Sequence, residues 1–299
     1  MRLESVTPLL ITYNEEANLE RVLDRLSWAR RIVVVDSFST DATLDILAED
    51  SRVDVYYRTF ESFADQCNFG LTKIETEWVL SLDADYVLAD GFVEEMASLV
   101  GETASEADSE AASEADSEVA GYTARFTYCV DGTPLRASLY PPRTVLFRRA
   151  MACYAADGHA HRLQLDGDTA PINTRILHDD RKPIASWLDA QRRYAEHEAA
   201  KLSAAPTPLG FVDRLRAKRW IAPLLTPLYC LFRKGLILDG PAGWLYTAQR
   251  TYAELLLTLY LSAEQSERGQ THHEDPTEIL DARTPTTPHT ITVRIPRAA

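Results

Sequence analysis

Lysine is scarce in this 299-residue chain: Lys73, Lys182, Lys201, Lys218 and Lys234 are the only five among 31 basic residues, against 45 acidic ones, for a net charge of −14. That deficit of positive charge argues against a nucleic-acid partner, because phosphate binding needs a basic contact face. Acid-rich, lysine-poor usage also fits a salt-rich cytoplasm. The four cysteines (Cys67, Cys129, Cys153, Cys230) are far apart and form no CxxC pair. This argues against a disulfide framework or a cysteine zinc site and makes a reducing compartment the default. No run reaches the ~18 apolar residues of a membrane-spanning helix. The opening Met1–Glu16 is too short and too polar for a secretory signal, so the expected location is cytoplasmic. No GxGxxG follows the first apolar strand, which removes the dinucleotide fingerprint.

What is present is an ordinary folded composition, 45% hydrophobic and 25% charged, sized for one large or two small domains. Charge is uneven: Glu102–Glu118 holds seven acids and no base, in the near-repeat SEADSEAASEADSE. The expected organisation is an α/β half over 1–100, an acidic low-complexity insertion over 101–120, and a second half of the same domain over 121–205. An apolar and basic helical region follows over 206–265, and a disordered tail over 266–299.

Strand and helix signals alternate through the first hundred residues. Leu9–Thr12 reads as a strand, and Leu19, Val22, Leu23 and Leu26 as one face of a helix. Ile32–Val35 is a β-branched run ending at Asp36, the pattern of a strand buried on both faces. A second helix around Leu44–Leu47, a strand over 53–57, a helix over 63–74 and a strand over 78–82 complete the series. Tyr122–Val130 reads as one alternating stretch, Thr144–Arg148 as a strand and Pro183–Ala205 as a helix. Alternating strands and helices imply a parallel sheet, with ligands beyond its carboxyl ends. Thr12-Tyr13-Asn14-Glu15, Asp36 and Asp83-Ala84-Asp85 all stand at such ends.

Asp83 and Asp85, one residue apart past a buried strand, can present hard oxygen ligands to Mg²⁺ or Mn²⁺, with a diphosphate supplying the rest. The plainer alternative is that they end a strand or cap a helix. Taken in order, Thr12–Leu19, Ile32–Ser37, Ser39–Thr43 and Leu82–Asp85 resemble the family-2 glycosyltransferases with the GT-A fold, closely over residues 5–98. Asp65-Gln66-Cys67-Asn68 resembles an element of the lipopolysaccharide-core β-glucosyltransferase subgroup. A weaker likeness runs to about residue 262 through Thr144–Arg149, Gly158–His161 and Ile176–His178. The resemblance implies a Rossmann-like, mostly parallel sheet with flanking helices and a small helical C-terminal subdomain. It implies that Thr12, Tyr13 and Glu15 hold the nucleoside and that Asp36 accepts a hydrogen bond from base or ribose. Asp83 would face ribose or metal, Asp85 would be the principal metal ligand, and Gln66 and Asn68 would bond nucleotide or sugar. Helix caps, salt bridges or a polar helix face are the ordinary alternatives for Asp36, Glu15, Gln66 and Asn68.

The implied reaction is transfer of a hexose, with inversion, from a nucleotide-diphospho-sugar to a saccharide or lipid-linked acceptor in lipopolysaccharide-like envelope synthesis. Its base must come from the acceptor side. Where the subgroup carries His-Glu this chain reads His161-Arg162, leaving His161, His159 and Asp157 as substitutes; a histidine base suits neutral pH. His178 is a further candidate metal ligand, or packs against the sheet. Arg143, Arg148 and Arg149 are candidates for diphosphate or an anionic acceptor. Alternatives are transfer to polyprenyl phosphate, which needs less help from a base, and a nucleotide-sugar-binding protein without turnover. Finally, Arg214, Arg216, Lys218, Arg219, Arg233 and Lys234 bracket the apolar run 220–232, which suits peripheral docking on the inner face of an anionic membrane. Core packing or a homodimer interface is the other use of such a surface.

Overall fold

The β-branched run ending at Asp36 forms β2 (Ile32–Asp36), every residue of it buried. It lies between β1 (Val6–Thr12) and β3 (Val53–Tyr57), and β4 (Trp78–Asp83) pairs with the other side of β1, all parallel. The computed structural model describes residues 2–107, 119–157, 160–204 and 211–271. Helices α1 (Leu19–Arg25), α2 (Thr43–Glu49) and α3 (Phe63–Leu71) make the crossovers between these strands. Ser62 caps α3 by accepting from the Asp65 amide, and the helix ends at Leu71 rather than at Ile74, in a turn through Thr72. Gly70 lets α3 lie against β1: a β-carbon there would sit 2.4 Å from Leu9 Cδ1.

After β4 come β5 (Tyr86–Leu88) and α4 (Phe92–Ala107), then β6 (Val119–Ala124), β7 (Phe126–Val130), β8 (Thr133–Pro134) and β9 (Arg143–Arg148). The stretch expected as one strand over 122–130 is two. At Arg125 the chain leaves one sheet for another, a switch that unbroken alternation of apolar residues cannot reveal. Asp131 and Gly132 both have positive φ, closing β7 onto β8 in a two-residue turn. The hairpin β10 (Ala152–Asp157) and β11 (Ala160–Leu165) precedes β12 (Asp168–Pro171) and β13 (Ile176–His178). The larger sheet runs β12-β6-β9-β4-β1-β2-β3, with β9 antiparallel to both neighbours; a second runs β5-β13-β7-β8. This is the mixed, mostly parallel α/β sheet with flanking helices that the resemblance implied.

The C-terminal part is helical: α5 (Ile184–Ala204), α6 (Phe211–Ala217), α7 (Ile221–Leu228) and α8 (Gly240–Thr271). Pro227 lies inside α7, and the helix continues as a π-helical turn, Tyr229–Arg233, then a 3-10 turn, Leu236–Asp239. The chain divides into Met1–Leu261 and Ser262–Ala299; the second unit is described only over 262–271, which are helical. Most of the expected acidic insertion (108–118) and of the expected tail (272–299) lies outside the described residues. Among the described residues no single helix is long and apolar enough to cross a membrane. The bent pair Ile221–Arg233 and Leu236–Glu264 meets that test only when taken together.

Candidate functional site

Parallel register places Thr12 beside Asp36, and Ile11 beside Asp83, so three polar groups end level at the carboxyl edge of β1, β2 and β4. The Thr12 hydroxyl donates to Asp36 Oδ2 at 2.8 Å, and the Ser39 hydroxyl and amide donate to Oδ2 and Oδ1 at 2.6 and 2.8 Å. Asp36 is fully buried, with both oxygens engaged inside the protein. It anchors the loop after β2. The loops after β1 and β2 are stitched together. The Asn14 amide donates to Ser39 Oγ, the Thr40 amide to Asn14 Oδ1, and the Glu15 amide to Thr43 Oγ1. Asn14 and Phe38 hold positive φ in this turn pair. Tyr13 and Phe38 are left exposed, and Phe38 stacks on Tyr57 with ring centroids 6.0 Å apart.

Beyond β4, pairing of β13 with β5 sets His178 opposite Tyr86, and His178 Nε2 lies 3.0 Å from Asp85 Oδ2. The imidazole is enclosed by the rings of Tyr86, Tyr128 and Tyr140 at 5.4, 4.8 and 4.4 Å. Burial alone would lower the His178 pKa, but Asp85 reverses that and raises it. Burial would likewise raise that of Asp85, yet His178 and Lys182 hold it down. Lys182 Nζ lies 2.6 Å from Glu15 Oε1, while Asn18 donates to Glu15 Oε2 at 2.9 Å. Desolvation nevertheless dominates at Glu15 and pushes its pKa up to about 7, with nearby Asp85 adding to the rise.

Lys182, Asp179, Asp180 and Asn18 are site residues that sequence reasoning missed. The buried Asn18 side chain donates to Asp180 Oδ1 and accepts from the Arg181 amide, and Asp179 takes Arg21 and both forks of Arg181. These bonds strap the segment after β13 onto the start of α1, which delivers Lys182 to Glu15. The only local signal was a dense alternation of charge, Asp179-Asp180-Arg181-Lys182, straight after an apolar strand.

Other expected residues lie elsewhere. Asn68 grips the β10 backbone in both directions, donating to the Tyr154 carbonyl at 2.8 Å and accepting from its amide at 2.9 Å. Gln66 is fully buried and donates to Ser37 Oγ and the Arg58 carbonyl, with its Oε1 unpartnered. Asn68 ties the hairpin to α3, and Gln66 ties together the exits of β2 and β3. Arg148 pairs with Glu77 and covers Trp78 at the amino end of β4, the edge away from the site. Arg143, its guanidinium 5.2 Å from the Tyr140 ring centre, is on the site's side and feels Asp83. The backbones of Asp157 and His161 stand at the tip of the β10–β11 hairpin, but their side chains, and all of His159, lie outside the described residues.

Among the described residues no three His, Cys, Asp or Glu side chains converge as a ready metal cage. Asp85 and His178 do meet, and Asp85 Oδ1 is buried without a hydrogen-bond partner. A hard acceptor left open beside an imidazole fits a divalent ion whose remaining ligands arrive with a diphosphate.

Residues 9–109 match the model of glycosyl transferase family 2. An uncharacterized glycosyltransferase of Rickettsia bellii is 32% identical over 94 residues, 31% of this chain and 32% of that protein. The lipopolysaccharide core biosynthesis glycosyltransferase LpsC of Rhizobium meliloti is 30% identical over 101 residues, 32% of this chain and 37% of that one. The matched stretch thus spans about a third of the length of these curated relatives. Among solved structures, the mannosyltransferase PcManGT from Pyrobaculum calidifontis, in complex with GDP-Man and Mn²⁺, is similar over 89% of this chain and 88% of that one. Its sequence identity is 17% and its TM-score 0.47.

Proposed function

On the footing of a family-2 glycosyl transferase domain over residues 9–109, we propose that this chain transfers a hexose from a nucleotide-diphospho-sugar, with inversion, to a saccharide or lipid-linked acceptor of a lipopolysaccharide-like envelope glycan. The observation that carries this is the meeting of Asp85, His178, Glu15 and Lys182 at the carboxyl edge of the sheet, flanked by exposed aromatic faces.

Tyr13 and the Phe38–Tyr57 stack offer π-surfaces for the base, on loops that Asp36 and Ser39 hold in place. Asp83, at the end of β4, would face ribose or metal. Mg²⁺ or Mn²⁺ held by Asp85 and His178 would neutralise charge on the departing diphosphate. Lys182 brings a second positive charge to the same side. Its ammonium is already favoured by Glu15, Asp180 and Asp85 against the cost of burial. Asp157 and His161, on the hairpin tip, are the residues for taking the acceptor proton. Polyprenyl phosphate is the second reading of the acceptor, favoured by Arg162 standing where the subgroup carries glutamate: an ionised phosphate needs no base. The protein would work as a peripheral enzyme on the inner face of the membrane that carries such acceptors.

The test is manganese-dependent breakdown of UDP-, GDP-, dTDP- and ADP-sugars by the parent and by Asp85→Ala. Release of one diphosphate by the parent alone supports a transferase and names the donor. Metal-dependent binding without release, even with lipid acceptors added, would favour a protein without turnover. No nucleotide binding at all would end this reading.

A further inference from the structure

The apolar run 220–232 is not a core helix. On α7 and the π-helical turn, Ala222, Pro223, Cys230 and Leu231 are buried, while Ile221, Leu224, Leu225, Leu228 and Phe232 point outward. That outward set follows i, i+3, i+4, i+7, i+11, one continuous helical stripe. Leu224 is 70% exposed and Phe232 65%. Leu238 on the 3-10 turn (69%) and Trp244 at the start of α8 extend the apolar surface. Leu225, Leu228, Tyr229 and Phe232 line an open groove of about 680 Å³ with Arg233 at its rim. Isolated exposed leucines need no explanation, but a stripe of this length does.

Charge identifies what covers it. From Arg214 to Leu238 there are six basic residues and no acid, in a chain of net charge −14. Arg214, Lys218 and Arg233 are exposed, and Lys234 Nζ sits 5.8 Å from the centre of the Tyr229 ring, so cations border the apolar stripe at both ends. A second copy docking through this face would bring its cations against identical ones. An anionic lipid surface meets both features, taking the apolar stripe below the headgroups and the cations among them.

We propose that the stripe from Ile221 to Phe232, with Leu238 and Trp244, is the docking face by which this protein inserts into the interface of an anionic phospholipid bilayer. The face adjoins the site: Tyr246 on α8 is buried against Tyr128 (4.9 Å between centroids), and Tyr128 against His178 (4.8 Å). This deepens the reading of a lipid-linked acceptor, which docking would hold beside the metal pair.

The test is flotation of the full-length protein with phosphatidylglycerol vesicles and, separately, phosphatidylcholine vesicles. Partitioning to the anionic vesicles should be strong, should fall with added salt, and should weaken by roughly tenfold or more in Arg233→Glu/Lys234→Glu. It should weaken as much in Leu224→Ser/Phe232→Ser/Leu238→Ser. All three substituted side chains are exposed, and retained manganese-dependent nucleotide binding shows that each variant is folded. Equal partitioning of parent and variants, or no preference for anionic lipid, overturns the proposal. So does a lipid-free dimer that Leu224→Ser/Phe232→Ser dissociates. Vesicle binding by a protein that binds no nucleotide would uphold the docking face while the transferase reading fell.

Discussion

His178 Nε2 lies 3.0 Å from Asp85 Oδ2, while the other oxygen of that carboxylate, Oδ1, is buried without a partner. The pairing follows from register: β13 runs antiparallel to β5, and the Asp179 amide bonds the Asp85 carbonyl, so the two residues are held face to face by backbone. On the proposed metal site, a proton on His178 and a divalent cation would compete for the same pair of side chains.

That competition makes the first prediction. Asp85→Ala should weaken manganese binding in the presence of nucleoside diphosphate by roughly a hundredfold or more, since it removes a first ligand and not a supporting partner. Because the folded protein raises the His178 pKa, the parent should release a proton on binding metal, and its affinity should fall as pH drops through that raised pKa. Calorimetry in buffers of different ionisation enthalpy reads both. Unchanged affinity in the variant would remove Asp85 from the metal site.

Glu15 supplies a second prediction, in stability. Its pKa is raised from 4.5 to about 7, so between those values the unfolded chain ionises at this position and the folded one does not. Stability should decline as pH rises through that window, by at most about 3 kcal/mol from this residue, and be full below it. Glu15→Gln should remove the decline. Urea unfolding at about pH 5 and about pH 8 checks it; an unchanged slope in the variant would mean that Lys182 keeps Glu15 ionised.

The carboxyl edge of the larger sheet was legible because its determinants are local. Buried, mostly apolar strands end at Thr12, Asp36 and Asp83 within the first hundred residues, and the parallel register makes them end together. The strap carrying Lys182 was not, because it depends on β13 pairing with β5 across the acidic insertion and the β10–β11 hairpin. Nothing near Asp179 announces Arg21 or Asn18. The bonds of Asn68 to β10 were not legible for a related reason: a polar residue on a helix turns toward whatever docks there, and the β10 hairpin is remote in sequence.

Asn68 therefore gives a third prediction that separates tying the fold together from binding sugar. Asn68→Ala removes the side chain that bonds the Tyr154 amide and carbonyl and should cost about 2 kcal/mol. The affinity for nucleoside diphosphate should stay within about twofold, because the clamp fixes the hairpin and not the donor loops. Denaturant midpoints alongside nucleotide titration decide it. A large loss of affinity with unchanged stability would restore the sugar-contacting role.

Arg216 provides the last prediction and corrects the basic collar expected from the sequence. Its guanidinium bonds both oxygens of Glu254, at 2.8 to 3.2 Å, and lies 3.8 Å from Glu198, with side-chain exposures of 25%, 10% and 11% for the three residues. It is an internal tie between α6, α8 and α5. Arg219, also expected in the collar, is only half-exposed and takes positive φ at the turn before α7, where its carbonyl accepts from Thr258. Arg216→Ala removes the cation that the mostly buried Glu254 carboxylate bonds and should destabilise by about 3 kcal/mol, far more than loss of an exposed pair. Vesicle binding by the fraction that remains folded should match the parent, in contrast to Arg233→Glu/Lys234→Glu. Full stability together with lost vesicle binding in Arg216→Ala would place this arginine on the membrane face and require the α6–α8 packing to be redrawn.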